Sequence, residues 1–466
     1  METLQRTANR GSLSTGYDVS NSLKFEDGTN ERLYRDNGNS GQRRTFTIAM
    51  WLKRTELGYN RIAGVGVSGN DIMSLYFKDT DELIWYDYGG GAYRFNYRTN
   101  RKFRDTSAWY HLVFAVDTEQ GTEANRVKLY VNGVEETSYS TQTEPSQNAD
   151  TNWNYANGYK DVGTALGEDP HFSGYMSELY FIDDQQLDCT NFGEFDDDSG
   201  IWQPKDFSGT FGSNDVYANF DDSSSMGADS SGNSNDWGLI NVTAADQATD
   251  TPTNNFCTLN PLMANAGPAN YLPITEGGTK AVNTAAAYKI ANSTFGVTSG
   301  KWYWEVKATD VNGVTAIGVT MPYYWDTDYT LGGCIYYAQG PQRYNNSSAS
   351  SFGATYTDGD IISFALDMNA TPPTMTVYKN NSSQGDIFSG LSINGAGAAF
   401  LPPKEDGYFP KVVGYNANTF ECNFGGYTSF SISSGASDEN GYGTFEYAPP
   451  SGYYSICTKN LAEFGG

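Results

Sequence analysis

Alternation with a period of two runs through most of this chain, and it limits what the chain can become. In FTIAMWLKR (46–54), Phe46, Ile48, Met50 and Leu52 fall on one side of an extended backbone, and Thr47, Ala49, Trp51 and Lys53 on the other. The same rhythm recurs at 72–78, 82–88, 93–98, 109–117, 127–133 and 174–183. It returns at 301–308, 315–321, 333–339, 360–368, 374–380, 408–415 and 419–425. With 34 Tyr and 25 Phe the sequence favours pleated, half-buried surfaces, and 51 Gly with 16 Pro supply turns. Asn132-Gly133 follows VKLYV with two residues that tolerate the positive φ of a tight hairpin. The Ala-rich 279–292 has helical propensity, but Asn283 and Thr284 interrupt it, and a pair of strands is expected there. An all-β protein follows, and 466 residues are too many for one core.

Composition divides the chain into a polar N-terminal arm (1–21), a first sandwich (22–190), an acidic connector (191–270) and a second sandwich with a C-terminal extension (271–466). From Asp183 to Asp250 there are fifteen acidic residues against Lys205 alone, more than half of the net charge of −26. The connector is expected to hold a few short strands, such as those in 216–220 and 237–242, some completing the first sandwich. Such a charge repels phosphate backbones, so a nucleic-acid partner is not expected, and no apolar run is long enough for membrane insertion. The five cysteines form no CxxC pair, and with two histidines no zinc framework is visible. Free, buried thiols and a reducing assembly compartment are the simplest account.

The segments FTIAMWLKR, WYHLVFAVD (109–117), VKLYVNGV (127–134) and FSGYMSELYFID (172–183), in that order, resemble the framework of the laminin-G and concanavalin A-like superfamily. SGKWYWEVK (299–307), AIGVT (316–320), YTDGDIISFALDM (356–368), MTVYKN (375–380) and YFPKVVGY (408–415) resemble a SPRY domain, with Asp360 in the turn before one marker strand. The resemblance implies two concanavalin A-like antiparallel β-sandwiches of jelly-roll type joined by the acidic connector. The whole order, with the polar arm and TPTNNFCTLNPL (251–262), resembles virion proteins of marine bacteriophages. That likeness implies a tail fibre, tail tip or head appendage that assembles in the host cytoplasm and resides on the virion. It would dock on other virion proteins through its arm, form symmetric homo-oligomers and mediate attachment by binding host-surface carbohydrate. The alternative is a purely architectural capsid or tail decoration protein making protein–protein contacts.

No catalytic constellation stands out. A glucanase on this fold needs two carboxylates two or four positions apart on one strand, whereas Glu178 has Asp183 and Glu305 has Asp310, each five residues away. A non-enzymatic protein is therefore expected. His111 is expected to be a structural residue, with no nucleophile elbow to serve. Sugar recognition calls for ring faces beside polar oxygens. Two clusters offer them: Tyr323, Tyr324, Trp325 and Asp326 with Tyr336, Tyr337, Arg343 and Tyr344, and Tyr86, Asp87, Tyr88 and Tyr93. Asp229, Ser231, Asn233 and Asn235 alternate as in a calcium loop but lack the terminal Glu of an EF-hand. Calcium is the one cofactor this pattern suggests.

Overall fold

The computed structural model describes residues 16–36, 41–262, 271–320, 333–345, 348–388 and 407–465. It divides into two compact units, one of Ser14–Thr253 and one containing Asn254–Gly466. Both are built from antiparallel sheets, as the alternation requires.

The first unit has two eight-stranded sheets. One runs Val134–Glu135, Val127–Val131, Tyr110–Asp117, Thr45–Arg54, Gly174–Asp183, Ser22–Phe25, Gln247–Ala248, with Val216–Ala218 also paired to Gly174–Asp183. The other runs Tyr139–Thr143, Ala92–Lys102, Glu82–Gly89, Asp71–Phe77, Asn60–Ser68, Tyr159–Val162, Arg32–Asp36, Gly238–Ile240. Phe46, Ile48, Met50 and Leu52 of the first sheet meet Leu75, Phe77, Trp85 and Phe95 of the second in one buried cluster. Trp85 spans the gap, its ring 5.1 Å from Phe114 in an edge-on contact. Each such large side chain contributes about 2–3 kcal/mol by leaving water. Asn132 and Gly133 take φ of 49° and 80°, which closes the hairpin between Val131 and Val134.

The acidic stretch does not stand apart as a connector. Val216–Ala218, Gln247–Ala248 and Gly238–Ile240 extend the two sheets, so the first unit continues to Thr253. The reason lies on the outer side of Thr45–Arg54 and its neighbours. Thr47, Ala49, Trp51 and Lys53 are all buried, although alternation marks theirs as the wetter side. Phe192, Phe207 and Tyr217 surround Tyr180, with centroids 5.0, 5.8 and 4.4 Å away. Trp202 donates from Nε1 to His111 Nδ1 at 3.0 Å, and His111 stacks on Trp51 at 4.8 Å. The acids serve buried cations: Asp246 lies 3.0 Å from Lys24, and Asp250 lies 2.7 Å from Lys53 and accepts from Trp109 Nε1 at 3.0 Å.

The second unit pairs an eight-stranded sheet, in which Lys301–Val311, Ile361–Asp367 and Asn418–Asn423 are central, with a six-stranded sheet centred on Val314–Thr320 and Phe409–Tyr415. Trp302, Trp304, Phe364, Val377 and Phe420 fill the space between. The Ala-rich segment forms two strands, Lys280–Asn283 and Tyr288–Asn292, each joining a different sheet. Asp360 caps its turn by accepting from Thr357 N at 2.8 Å and lies 3.0 Å from Lys379. All five cysteines are free and buried.

The covering role of the acidic stretch sets an expectation for residues 14–253. Trp202→Ala removes the ring over His111 and lowers unfolding stability by about 3 kcal/mol, whereas Phe195→Ala, at a half-exposed ring beside it, costs under about 1 kcal/mol. Urea midpoints of the two variants, compared with the parent, check this difference.

Candidate functional site

Three strands of the second sheet of the first unit carry a row of rings. Inward positions on Asp71–Phe77 are Met73, Leu75 and Phe77, which sets Tyr76 outward. On Glu82–Gly89, Leu83 and Trp85 point in, so Tyr86 and Tyr88 point out. Register then aligns them. Tyr76 stands opposite Arg61 and Ile84, Tyr86 opposite Ser74 and Asn96, and Tyr88 opposite Ile72 and Tyr93. Tyr59, in the turn before Asn60–Ser68, extends the row. Successive ring centroids are 5.1 Å apart for Tyr59–Tyr76, 6.1 Å for Tyr76–Tyr86, 5.5 Å for Tyr86–Tyr93 and 5.2 Å for Tyr93–Tyr88. All four contacts are edge-to-face, the favoured geometry for aromatic quadrupoles. Tyr93 is 52% exposed and Tyr59 38%. Arg61 donates from Nε to the Tyr59 hydroxyl at 3.1 Å and pairs with Glu168 at 2.9 Å. Burial against these neighbours raises the phenol pKa of Tyr76 and Tyr86.

Of the expected residues, Tyr86, Tyr88 and Tyr93 thus come together on one face. Asp87 does not join them. Alternation turns it inward beside Trp85, where it is fully buried, accepts from Arg94 Nη1 at 2.7 Å and from Asn152 N at 2.8 Å. Tyr59 and Tyr76 were not among the sequence candidates. Tyr76 was visible in the phase of IMSLYFK, but Tyr59 is a lone ring in a turn that only pairing brings alongside.

The second cluster is split. Tyr323, Tyr324, Trp325 and Asp326 lie outside the described residues. Tyr336 is buried in the core and its hydroxyl donates to Ala354 O. Arg343 is bound to the backbone carbonyls of Asp386 and Ile387 and to Ser350 Oγ, so it is not poised for a ligand. Tyr337 and Tyr344 do face outward, 5.8 Å apart, beside a small apolar group of Ile290, Ala316, Ile335 and Val413.

The calcium-like loop is filled by its own hydrogen bonds. Asp229 accepts from the backbone N of Tyr217, Ser231 and Asn235 and from Ser231 Oγ. Asn233 and Asn235 turn their amide nitrogens inward, each donating to Asp215 O. Those residues present donors where a cation needs oxygens, so Asp229, Ser231, Asn233 and Asn235 do not fit calcium.

The carboxylates considered as catalytic are both internal. Glu178 sits at a β-bulge with φ of 50°, which re-aims it off the strand's alternation. Its carboxyl accepts from the hydroxyls of Tyr17, Tyr180 and Tyr217 at 3.0–3.1 Å. Glu305 accepts from Tyr303 Oη, Asn423 Nδ2 and the backbone N of Glu446 and Tyr447. His111 is fully buried, and burial pushes its pKa down to about 3. The basic cluster is also spent internally: Arg94 pairs with Asp87, Arg98 and Lys102 with Glu82, Arg101 with Glu136, and Arg104 with Asp81.

Residues 27–185 match the family described as the concanavalin A-like lectin/glucanases superfamily, and residues 301–427 match the SPRY domain. The chain carries one domain of each kind, both of them typically binding modules. Among solved structures it is similar to the SPRY domain of human HERC1 (20% identity, 32% of this chain and 89% of that one, TM-score 0.26). It is also similar to a heptameric SAP-like pentraxin from Limulus polyphemus (18% identity, 37% and 80%, TM-score 0.28). A third is domain 4 of AbnA, a GH43 extracellular arabinanase from Geobacillus stearothermophilus, in complex with arabinotriose (24% identity, 32% and 63%, TM-score 0.23). No curated protein matches the chain. Among the described residues no helix is long and apolar enough to cross a membrane.

Burial raises the Glu178 pKa to about 7 against an ordinary 4.5, so the fold favours its protonated form. Its contribution to stability is full below pH 4.5 and is lost as pH rises through 7. Glu178→Gln keeps the shape without the charge. The stability of the variant relative to the parent should rise by about 3 kcal/mol between pH 4.5 and pH 8, read from denaturant unfolding at each pH.

Proposed function

We propose that the chain is a carbohydrate-binding protein whose first unit takes a glycan across the tyrosine row. The observation that carries this reading is five mutually packed rings on the solvent side of a sheet whose other face is core. A folded protein rarely leaves contiguous aromatic surface bare without a partner for it. Sugar C–H faces pack on the rings, while Asn96 and the phenol hydroxyls supply hydrogen bonds at the edges. Because the rings already brace one another, little side-chain freedom is lost when a ligand docks. An extended or surface-attached glycan suits an open face better than a monosaccharide does.

A second reading, protein contact, draws on the second unit. Tyr271, Tyr337 and Tyr344 border the apolar group at Ile290 and Val413 on the outer side of the six-stranded sheet, a chemistry closer to a protein interface than to a sugar site. The further step, that the protein is a homo-oligomeric attachment component of a bacteriophage virion binding a host glycan, rests on the resemblance of its module order. Labelling of purified particles with an antibody to this chain tests that step, and unlabelled particles would remove it.

Glycan-array and titration measurements on the whole chain test the main reading. Tyr86→Ala and Tyr93→Ala are each expected to weaken glycan binding by about tenfold. Tyr337→Ala is expected to leave it unchanged. Glycan binding that survives both changes in the first unit, or that fails with Tyr337→Ala, places the function elsewhere.

A further inference from the structure

Where the chain leaves Ser22–Phe25 and where it enters Gly174–Asp183, two loops meet. The first begins its 3-10 turn with Asp27, and the second reads Asp169-Pro170-His171. They are tied together by the His171 backbone N–H, which donates to Asp27 Oδ1, and by Asp27 N, which donates to Ser173 Oγ at 3.2 Å. As a result Asp27, Asp169 and His171 each bring one ligand atom within 4.8 Å of the others.

The imidazole makes this more than a pair of acids. The His171 side chain is only 3% exposed, yet its Nδ1 makes no hydrogen bond within the chain. That nitrogen faces the Asp169 carboxylate at 3.1 Å and the Asp27 carboxylate at 3.8 Å. A buried ring nitrogen that faces two carboxylates needs a positive centre between them, and either a proton on Nδ1 or a metal ion supplies it. Arg32, whose charge also acts on His171, is directed to Asp161 at 3.8 Å. Asp169 is 78% exposed, so the group is open to water on one side, as a site with three protein ligands requires.

We propose that Asp27, Asp169 and His171 bind a divalent transition-metal ion, with zinc the best match. One imidazole nitrogen and two carboxylate oxygens form a set that suits zinc or manganese, whereas calcium takes oxygen ligands alone. The two carboxylates offset the charge of the ion, and water completes its coordination. Binding there would clamp the first strand of the unit to the strand that is most deeply buried.

The test uses the full-length, untagged protein after treatment with a chelator, titrated with zinc and, separately, with calcium. One equivalent of zinc should bind saturably and raise the melting temperature. Asp169→Asn, a change at an exposed side chain, should keep the metal-free melting temperature and weaken zinc binding by about tenfold or more. Asp229→Asn should bind as the parent does. Absence of saturable zinc binding, equal zinc binding by Asp169→Asn, or saturation by calcium with no response to zinc would each overturn the assignment.

Discussion

Every residue of Gly174–Asp183 is buried, and an antiparallel strand reaches that state only when matter lies behind its sheet as well as in front of it. Met176, Leu179, Phe181 and Asp183 face the core, while Ser177, Glu178 and Tyr180 face away from it. The segment after the strand supplies the missing layer over Glu178 and Tyr180, while Ser177 Oγ donates to Asn21 O at 2.8 Å. Tyr217 donates to Glu178, Asp215 accepts from Asp183 N at 2.7 Å, and Asp183 in turn accepts from Trp153 Nε1 and Asn154 Nδ2. A buried polar group left alone costs about 1–3 kcal/mol, so the cover and the strand specify one another. Much of the first unit's second half follows from this one requirement.

The strands were legible because period-two alternation needs only one buried face to betray itself. What alternation cannot report is whether the opposite face meets water or a covering segment. Trp51 and His111 therefore read as a wetter side and a framework histidine, when His111 lies beneath Trp202 and Trp51 stacks on His111. The acidic stretch read as a connector because its charges, taken alone, suggest solvation, whereas Asp215, Asp246 and Asp250 each answer a particular buried donor. Phase explains the mixed outcome at the candidate site. Tyr86, Asp87 and Tyr88 are neighbours in sequence, but the middle one necessarily faces the other way, and Tyr336 and Tyr337 part for the same reason. The juxtaposition of Asp27 with His171 crosses 144 residues and leaves no local pattern to read.

Both units solve the covering problem with the same device. Glu178 and Glu305 sit on the outer side of a central strand, each takes a hydrogen bond from a tyrosine two residues away, and each gathers donors from outside its own strand. Glu305 binds two successive backbone N–H groups of the C-terminal extension, which fixes where that segment lies. Burial raises the pKa of both carboxyls, a cost offset by the several donors each one orders. Residues that look like catalytic acids by their place on a concanavalin-like strand thus act as fasteners.

One sheet of the first unit has a segment on its outer side, while the row from Tyr59 to Tyr93 lies on the outer side of the other. Its far edge, Tyr139–Thr143, is polar and exposed, which discourages edge-to-edge pairing. Tyrosine is the ring that tolerates such a position: its body offers apolar contact and its hydroxyl stays wet, whereas a row of phenylalanines would invite aggregation. The same ring chemistry has opposite consequences on the two sides of the sandwich. Tyr217 of the acidic segment stacks on Tyr180 at 4.4 Å and both hold a carboxyl; on the other side, edge-to-face neighbours hold one another and leave part of their surface exposed. Which face receives the covering segment therefore decides which tyrosines are buried supports of the fold and which stay exposed.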